Sequence, residues 1–420
     1  MLKNTYLINY LKKATIYEVN LRQYSNAGDI RSFIKHLPRL KKMGIDILWL
    51  MPIHPIGEKN KKGTLGSYYS IQNYMDVNPA FGTKEDFKDL VKDVHQLGMK
   101  IIIDWVANHA AWDNVWTISH PDYFLRNTAG DFISPNDWTD VIQIDHENIQ
   151  AHEALTDAMC YWVKEFDIDG FRADLAHLTP LHFWVNAKAK IASLKPDLIW
   201  LAETEEIEYY QAFDIIYSWK WMHKSEEYFK KNIEIRELIQ LLQDNYKKHE
   251  LNPLQLYFTT NHDENSWNGT EFEKFGIYAD AITIFNFMYP YAVPLIYSGQ
   301  EIPNRKRLLF FDKDEIQWDV HLEKESLYSI LIEFRKNRKE NSTINFFDQD
   351  NNLFGFKSGV GVGAMIMVLN LDKNDINFNP KNEEEYGLYN NIFNATLITI
   401  NADFNIELKP GGYILLERVA

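Results

Sequence analysis

From residue 15 to about residue 300, short runs of β-branched and other apolar residues alternate with longer stretches in which apolar positions recur every three to four residues. The short runs, at 16–21, 46–51, 100–104, 169–174, 198–203, 213–217, 255–261 and 294–299, predict eight strands. The longer stretches, at 30–43, 84–97, 150–166, 180–193, 233–247 and 277–288, predict amphipathic helices, with a last one near 323–337. Strands that read as near-continuous apolar runs and alternate with helices pair in parallel, buried on both faces. The α/β architecture this implies most economically is a (β/α)8 TIM barrel, with an open doubly wound sheet as the competing arrangement. Two stretches break the alternation. Residues 109–143 carry Trp112, Trp116, Pro121, Gly130, Pro135 and Trp138 with little periodicity, and a loop of that length is usually functional. Residues 353–420 show short alternating runs separated by Gly, Asn and Asp clusters, which predicts an all-β sandwich.

In a barrel of this kind the chemistry lies at the C-terminal ends of the strands. The ionisable residues there are Asp104 with His109 just beyond it, Arg172 with Asp174, Glu203, and His262 with Asp263. Side chains two apart on a strand share a face, so Arg172 and Asp174 project together. A fixed cation favours the charged carboxylate, so Asp174 is expected to stay ionised as a nucleophile, although a structural ion pair is the commoner fate of an Arg-x-Asp. Glu203 ends an apolar run with no arginine two residues away and is the better candidate for a protonated acid. One raised and one depressed carboxyl group, with aromatic side chains nearby, is what a retaining glycosidase requires.

Composition narrows the partners. The charge balance of 44 − 59 = −15, without a basic block, argues against nucleic acid and anionic membranes. Twelve Trp and 23 Tyr can line a groove that stacks on sugar rings, though many such side chains will be core. The single Cys160 rules out an internal disulfide framework and fits a reducing compartment. With no signal-like or transmembrane-length apolar run, the expected location is cytoplasmic.

The set Asp104-Trp105-Val106-Ala107-Asn108-His109, Gly170-Phe171-Arg172-Ala173-Asp174, Glu203 and Asn261-His262-Asp263 resembles the four ordered motifs of the α-amylase family, glycoside hydrolase family 13. The resemblance covers most of the chain, with residues 66–83 similar to the segment after the second strand and Gln300-Glu301 with 307–318 similar to that after the eighth. It implies a catalytic barrel (domain A) at 1–108 and 144–340, a short inserted domain B at 109–143, and a C-terminal β-sandwich (domain C) at 341–420. It also implies Asp174 as nucleophile, Glu203 as acid/base, and Asp263 as the carboxylate that holds ring hydroxyls in the transition state. Tyr69 matches the tyrosine that stacks under the reacting sugar, His109 and His262 match histidines that hydrogen-bond it, and Arg172 matches the arginine that orients the nucleophile. Asp104 joins this substrate-binding set.

Three positions depart from the family pattern. Asn108 is the only family-like calcium ligand, because Gln143-Ile144-Asp145 stands where an Asp-x-Asp pattern is usual; calcium prefers several carboxylate oxygens, so no cofactor and no tight calcium site are expected. His177 and Leu178 replace a Lys-His pair that contacts the leaving-group sugar, which leaves His177 as the candidate contact there. Asn73 replaces an Asp four residues after the tyrosine. The resemblance implies an α-amylase-like retaining hydrolase acting on α-1,4 bonds in starch, glycogen or maltodextrins. An α-glucanotransferase or exo-acting α-glucosidase would use the same site. A catalytically inactive binding barrel would have lost one of the three carboxylates, and a phosphate-sugar isomerase would want a Gly-rich cradle where acidic groups stand. The sequence leaves the oligomeric state open.

Overall fold

The computed structural model describes residues 5–248, 254–318, 324–339, 343–347 and 353–420. Eight parallel strands close a barrel: β1 (Ile16–Val19), β2 (Ile47–Leu50), β3 (Lys100–Trp105), β4 (Gly170–Ala173), β5 (Ile199–Ala202), β6 (Ile215–Tyr217), β7 (Leu254–Tyr257) and β8 (Ala292–Tyr297). Each pairs with its sequence neighbour, and β8 returns to β1 through Ile16 opposite Leu295. Strands β1, β2 and β4–β8 are buried along their full length, as expected of strands covered by helices outside and side chains within.

The period of two sorts those side chains. Ile16, Ile47, Trp49, Ile102, Ile199, Leu201, Ile215, Leu254, Leu256, Val293 and Leu295 form the barrel interior, whereas Tyr17, Leu48, Ile101, Ile103 and Trp200 pack outward against the helices. Continuing the inward parity towards the C-terminal ends brings Glu18, Trp49, Asp104, Arg172, Asp174, Glu203 and Tyr217 into the mouth. Gly170 opens β4 because the neighbouring strand lies so close that a Cβ there would sit 2.0 Å from the Ile199 carbonyl oxygen.

The helices follow the apolar periodicity closely. Lys84–Gln96 starts on a capping box between Thr83 and Asp86, and Ile149–Phe166 starts on Asn148, whose side chain accepts from the Gln150 and Ala151 N–H groups. The stretch 30–43 is two helices, Ile30–Ile34 and Leu37–Met43, rather than the single one expected. Pro38 lies in the first turn of the second, where its missing N–H does no harm but no helix can run through from before it. Residues 109–143 hold a short antiparallel pair, His109–Ala111 with Val141–Gln143, and a single helical turn at Trp116–Ser119. The last barrel helix is Glu325–Asn337; the expected start at 323 and the expected domain limit near 341 lie outside the described residues.

The C-terminal region is all β, with a six-stranded antiparallel sheet and a two-stranded one (Ile376–Phe378 with Ile406–Leu408) closing over Val368, Phe378, Tyr389, Leu408 and Leu416. No described helix is long and apolar enough to cross a membrane.

Candidate active site

Arg172 is the hub of the mouth. Its Nη1 donates to both oxygens of Asp104, at 2.9 and 3.1 Å, and to Asp174 Oδ1 at 3.1 Å. Its Nη2 lies 2.7 Å from Glu203 Oε2, and its Nε donates to the Tyr217 hydroxyl at 3.2 Å. The guanidinium carbon lies 4.9 Å from the Trp49 ring centroid, a cation–π contact in a dry setting. Burial opposes the charge on Arg172, but Asp104 and Glu203 outweigh it and hold the group fully protonated.

Asp104 is buried completely and spends its oxygens on Arg172, on Tyr69 OH at 3.1 Å and on Trp49 Nε1 at 3.2 Å. Asp174 and Glu203 stand one residue beyond β4 and β5. Asp174 Oδ1 is held by Arg172, whereas Oδ2 is buried and accepts no hydrogen bond from any described residue. Glu203 Oε2 also accepts from the Leu175 backbone N–H at 2.8 Å. Leu175, in the turn that presents this N–H, adopts the left-handed region, φ 39°, a conformation costly for a branched side chain.

His262 fixes the opposite side. Its Nδ1 faces Glu18 Oε1 at 2.5 Å, and its Nε2 faces Asp263 Oδ2 at 3.2 Å and the Tyr69 hydroxyl at 2.6 Å. With a carboxylate on each ring nitrogen both must donate, so the ring is an imidazolium. Burial alone would lower its pKa, but Asp263 and Glu18 outweigh burial and hold it well above the usual histidine value. Tyr69 stacks on His262 at 5.4 Å between centroids and offers its other proton partner, Asp104, its own O–H.

Five carboxyl groups, Glu18, Asp104, Asp174, Glu203 and Asp263, thus face two cations, so the cluster cannot be fully ionised. Burial pushes Asp174 well above the carboxylate range; Arg172 opposes this, and Glu203, Asp104 and Asp263 add to it. Burial raises Glu203 as well, against Arg172. Asp263 is the exception: burial would raise it, but His262 and Arg172 hold it low and ionised. The expectation that Arg172 would keep Asp174 ionised is therefore corrected, because one guanidinium shared among three carboxyl groups does not offset burial and the neighbouring Glu203, Asp104 and Asp263. Burial thus favours the protonated form of both Asp174 and Glu203, against the pull of Arg172.

His109 meets the Trp138 ring edge-on at 5.5 Å, and burial lowers its pKa to about 4, against the pull of Asp140. The imidazole is neutral at physiological pH. A cavity of about 280 Å³ gathers Tyr69, His109, Asp174, Glu203 and Asp263 with Trp138, Phe310 and Phe311. His177 is exposed on the turn after β4 and does not line it. Trp138 lines the cavity, and Trp267 lies exposed against Phe310 and Phe311. Trp116 instead stacks on Tyr74, and Tyr68 packs beneath Arg22 and donates to Asn20. Glu18, Trp49 and Tyr217 were not singled out from sequence, although their inward parity was legible.

The residues around Asn108 do not fit calcium. Gln143 Nε2 donates to Asn108 O at 2.9 Å, to Asn108 Oδ1 at 3.0 Å and to Ile144 O at 3.2 Å. An amide N–H group thus stands among the oxygens that would ligate an ion, and hard cations want oxygen there.

A model of the α-amylase catalytic domain matches residues 17–143. An α-amylase from Lactobacillus plantarum superposes with a TM-score of 0.89 at 29% identity, over 97% of this chain and 99% of that one. A noncanonic maltogenic α-amylase, AmyB, from Thermotoga neapolitana gives 0.87 at 31% identity, over 98% and 100%. Alpha-amylase 3 of Dictyoglomus thermophilum is 26% identical over 71% of this chain, which spans just under two thirds (66%) of that relative's length.

Proposed function

Because the chain belongs to the α-amylase family, we propose that it is a retaining α-glucan hydrolase that cleaves α-1,4-glucosidic bonds in starch, glycogen or maltodextrins. The observation that carries this reading is Arg172 touching Asp174 and Glu203 with the two arms of one guanidinium, at 3.1 and 2.7 Å. That arrangement supports the close carboxyl spacing of retaining glycosidases, about 5–5.5 Å, over the wider separation of inverting ones, about 6.5–9.5 Å.

In the reactive form Glu203 carries a proton and Asp174 is ionised. Glu203 gives its proton to the glycosidic oxygen as the bond from that oxygen to C1 breaks, while Asp174 Oδ2, which has no hydrogen-bond partner among the described residues, bonds to C1 from the opposite face. Arg172 retains Oδ1 throughout and offsets the charge of Asp174 before the ester forms. Water then gives its proton to the Glu203 carboxylate, its oxygen bonds to C1, and the ester bond to Asp174 breaks, restoring the α configuration. Asp263, ionised and steadied by the His262 cation, accepts hydrogen bonds from hydroxyls of the ring and strengthens its hold as positive charge develops at C1. Tyr69 forms the floor, and His109, neutral and dry, donates or accepts at the ring edge. His177 is assigned to the leaving-group side, outside the cavity.

No step requires a metal, and we read the Gln143 amide as the internal tie that holds the segment around Asn108. A cytoplasmic location is supported by the lone buried Cys160. The test is incubation with maltoheptaose, with and without EDTA, followed by chromatography and NMR of the first anomer released. Shorter α-configured products unaffected by EDTA are expected. Products longer than the substrate would make it a transferase, first-formed β anomers would exclude the double displacement, and no products would leave a binding barrel.

A further inference from the structure

Segment 57–66 after β2, excursion 109–143 after β3 and segment 305–314 after β8 are tied to one another rather than standing as separate loops. Towards the excursion, Lys62 Nζ pairs with Asp140 Oδ1 at 2.8 Å, the Glu58 N–H donates to Asp113 Oδ2 at 3.0 Å, and Lys59 Nζ lies 5.3 Å from the Trp112 ring centroid. Towards the other side, the Thr64 N–H and hydroxyl both donate to Asp312 Oδ1, at 2.8 and 2.6 Å, and the Leu65 N–H donates to Phe311 O at 2.9 Å. Gly63, at φ 62°, allows this approach, since a Cβ there would fall 2.5 Å from Phe311 Cβ. From below, Arg22 Nη1 donates to the carbonyls of Gly66 and Phe310 at 3.0 and 2.9 Å. The result is a continuous wall along one side of the mouth.

Which side this is follows from the order of strands around the barrel. Segments 57–66 and 305–314 follow β2 and β8, which flank β1; β5, which carries Glu203, lies across the barrel from β1. The acid protonates the leaving oxygen, so the departing chain extends on the β5 side. The glycon therefore points at the wall. The cavity of about 280 Å³ that Lys62, Asp140, Phe310 and Phe311 help to line on that side lies just below the usual range of ligand pockets, ~300–1,000 Å³.

We propose that the Lys62–Asp140 bridge, backed by Phe310 and Phe311, is the stop that makes this a chain-end enzyme, cutting short products of about one or two glucosyl units from the non-reducing ends of α-glucans. The proposal rests on the reading of Asp174 and Glu203 given above. The test compares maltoheptaose with its analogue in which an ethylidene group bridges the non-reducing 4- and 6-hydroxyls. Wild-type protein is expected to cleave the blocked substrate at less than about one hundredth of the free rate, the scale on which a closed pocket rejects a group it cannot seat. Lys62→Ala, which removes one side of the bridge, is expected to raise that ratio by about tenfold or more. Equal rates on the two substrates with wild-type protein overturn the proposal while leaving the hydrolase reading intact. An unchanged ratio in folded Lys62→Ala overturns the assignment to this bridge. Failure to cleave either substrate overturns the reading of the site, and the proposal with it.

Discussion

Replacing Glu203 by Gln removes the proton from the leaving-group side and little else. The Gln carbonyl oxygen can still accept from the Leu175 N–H, now 2.8 Å from Oε2, and Arg172 keeps Asp104 and Asp174 when its 2.7 Å contact loses its charge. General acid catalysis is worth about 10²–10⁴ in rate, or roughly 2.7–5.4 kcal/mol of barrier at 1.36 kcal/mol per tenfold. That loss is expected on maltotriose, whose sugar leaving group needs the proton. It is not expected in the first step with α-maltosyl fluoride, since fluoride leaves without one. The second step still lacks its base, so the variant should release fluoride in a burst equal to the enzyme present and then slow. Azide, which attacks C1 with no proton to give up, should restore turnover. The assay is stopped-flow fluoride release beside steady-state maltotriose hydrolysis, with circular dichroism to confirm folding. Equal losses on the two substrates, with no burst and no rescue, would refute the assignment of Glu203 as the acid.

Asp174→Asn should abolish turnover, and it should also change how stability depends on pH. A carboxyl group raised by burial binds its proton more tightly in the folded state, so wild-type stability falls as pH rises from the ordinary Asp value, about 3.9, through the raised one. The variant, with nothing to ionise, should match the wild type near pH 4 and have the higher Tm at pH 7; a Tm equal to or below that of the wild type at pH 7 would contradict the assigned burial cost. Glu18→Gln removes one of the two anions that keep His262 charged. It should lower kcat/KM by about 10–100-fold, a usual cost of losing an orienting partner, and move the titration of the His262 ring, followed by NMR, to lower pH, because one of its two anions is gone. A fall in rate with an unmoved His262 titration would make Glu18 merely structural. Gln143→Ala leaves Asn108 O and Oδ1 and Ile144 O without their shared donor, at a cost of about 1–3 kcal/mol. Calorimetry should show a lower Tm for this variant and no effect of EDTA on the wild type; a Tm of the wild type that drops on chelation would contradict the calcium-free reading.

The barrel was legible because a parallel strand buried on both faces has a signature that local turns cannot imitate, and all eight runs became strands within a few residues. The residues of the site were legible for the same reason: Asp104, Asp174 and Glu203 end apolar runs, and parity carries each inward. What sequence did not reveal depends on contacts across long separations. Glu18 becomes part of the site only when β1 and the end of β7 meet at His262, and the Lys62–Asp140 bridge exists only once the excursion folds back over segment 57–66. The proton affinity of Asp174 was misjudged because an arginine two residues away is visible in the chain, whereas the depth to which the folded barrel buries the carboxyl group is not. Helix 30–43 was drawn through Pro38 because its apolar period continues across a break that the backbone does not allow.

The central claim is that Asp174 becomes covalently bonded to the sugar. The direct measurement is to incubate wild-type protein with 5-fluoro-α-D-glucosyl fluoride, whose ring fluorine slows release of the intermediate, then digest at low pH and map peptides by mass spectrometry. The account predicts one added fluoroglucosyl group, on the peptide that contains Asp174 and on the Asp174 carboxylate itself. A label on any other residue would contradict it.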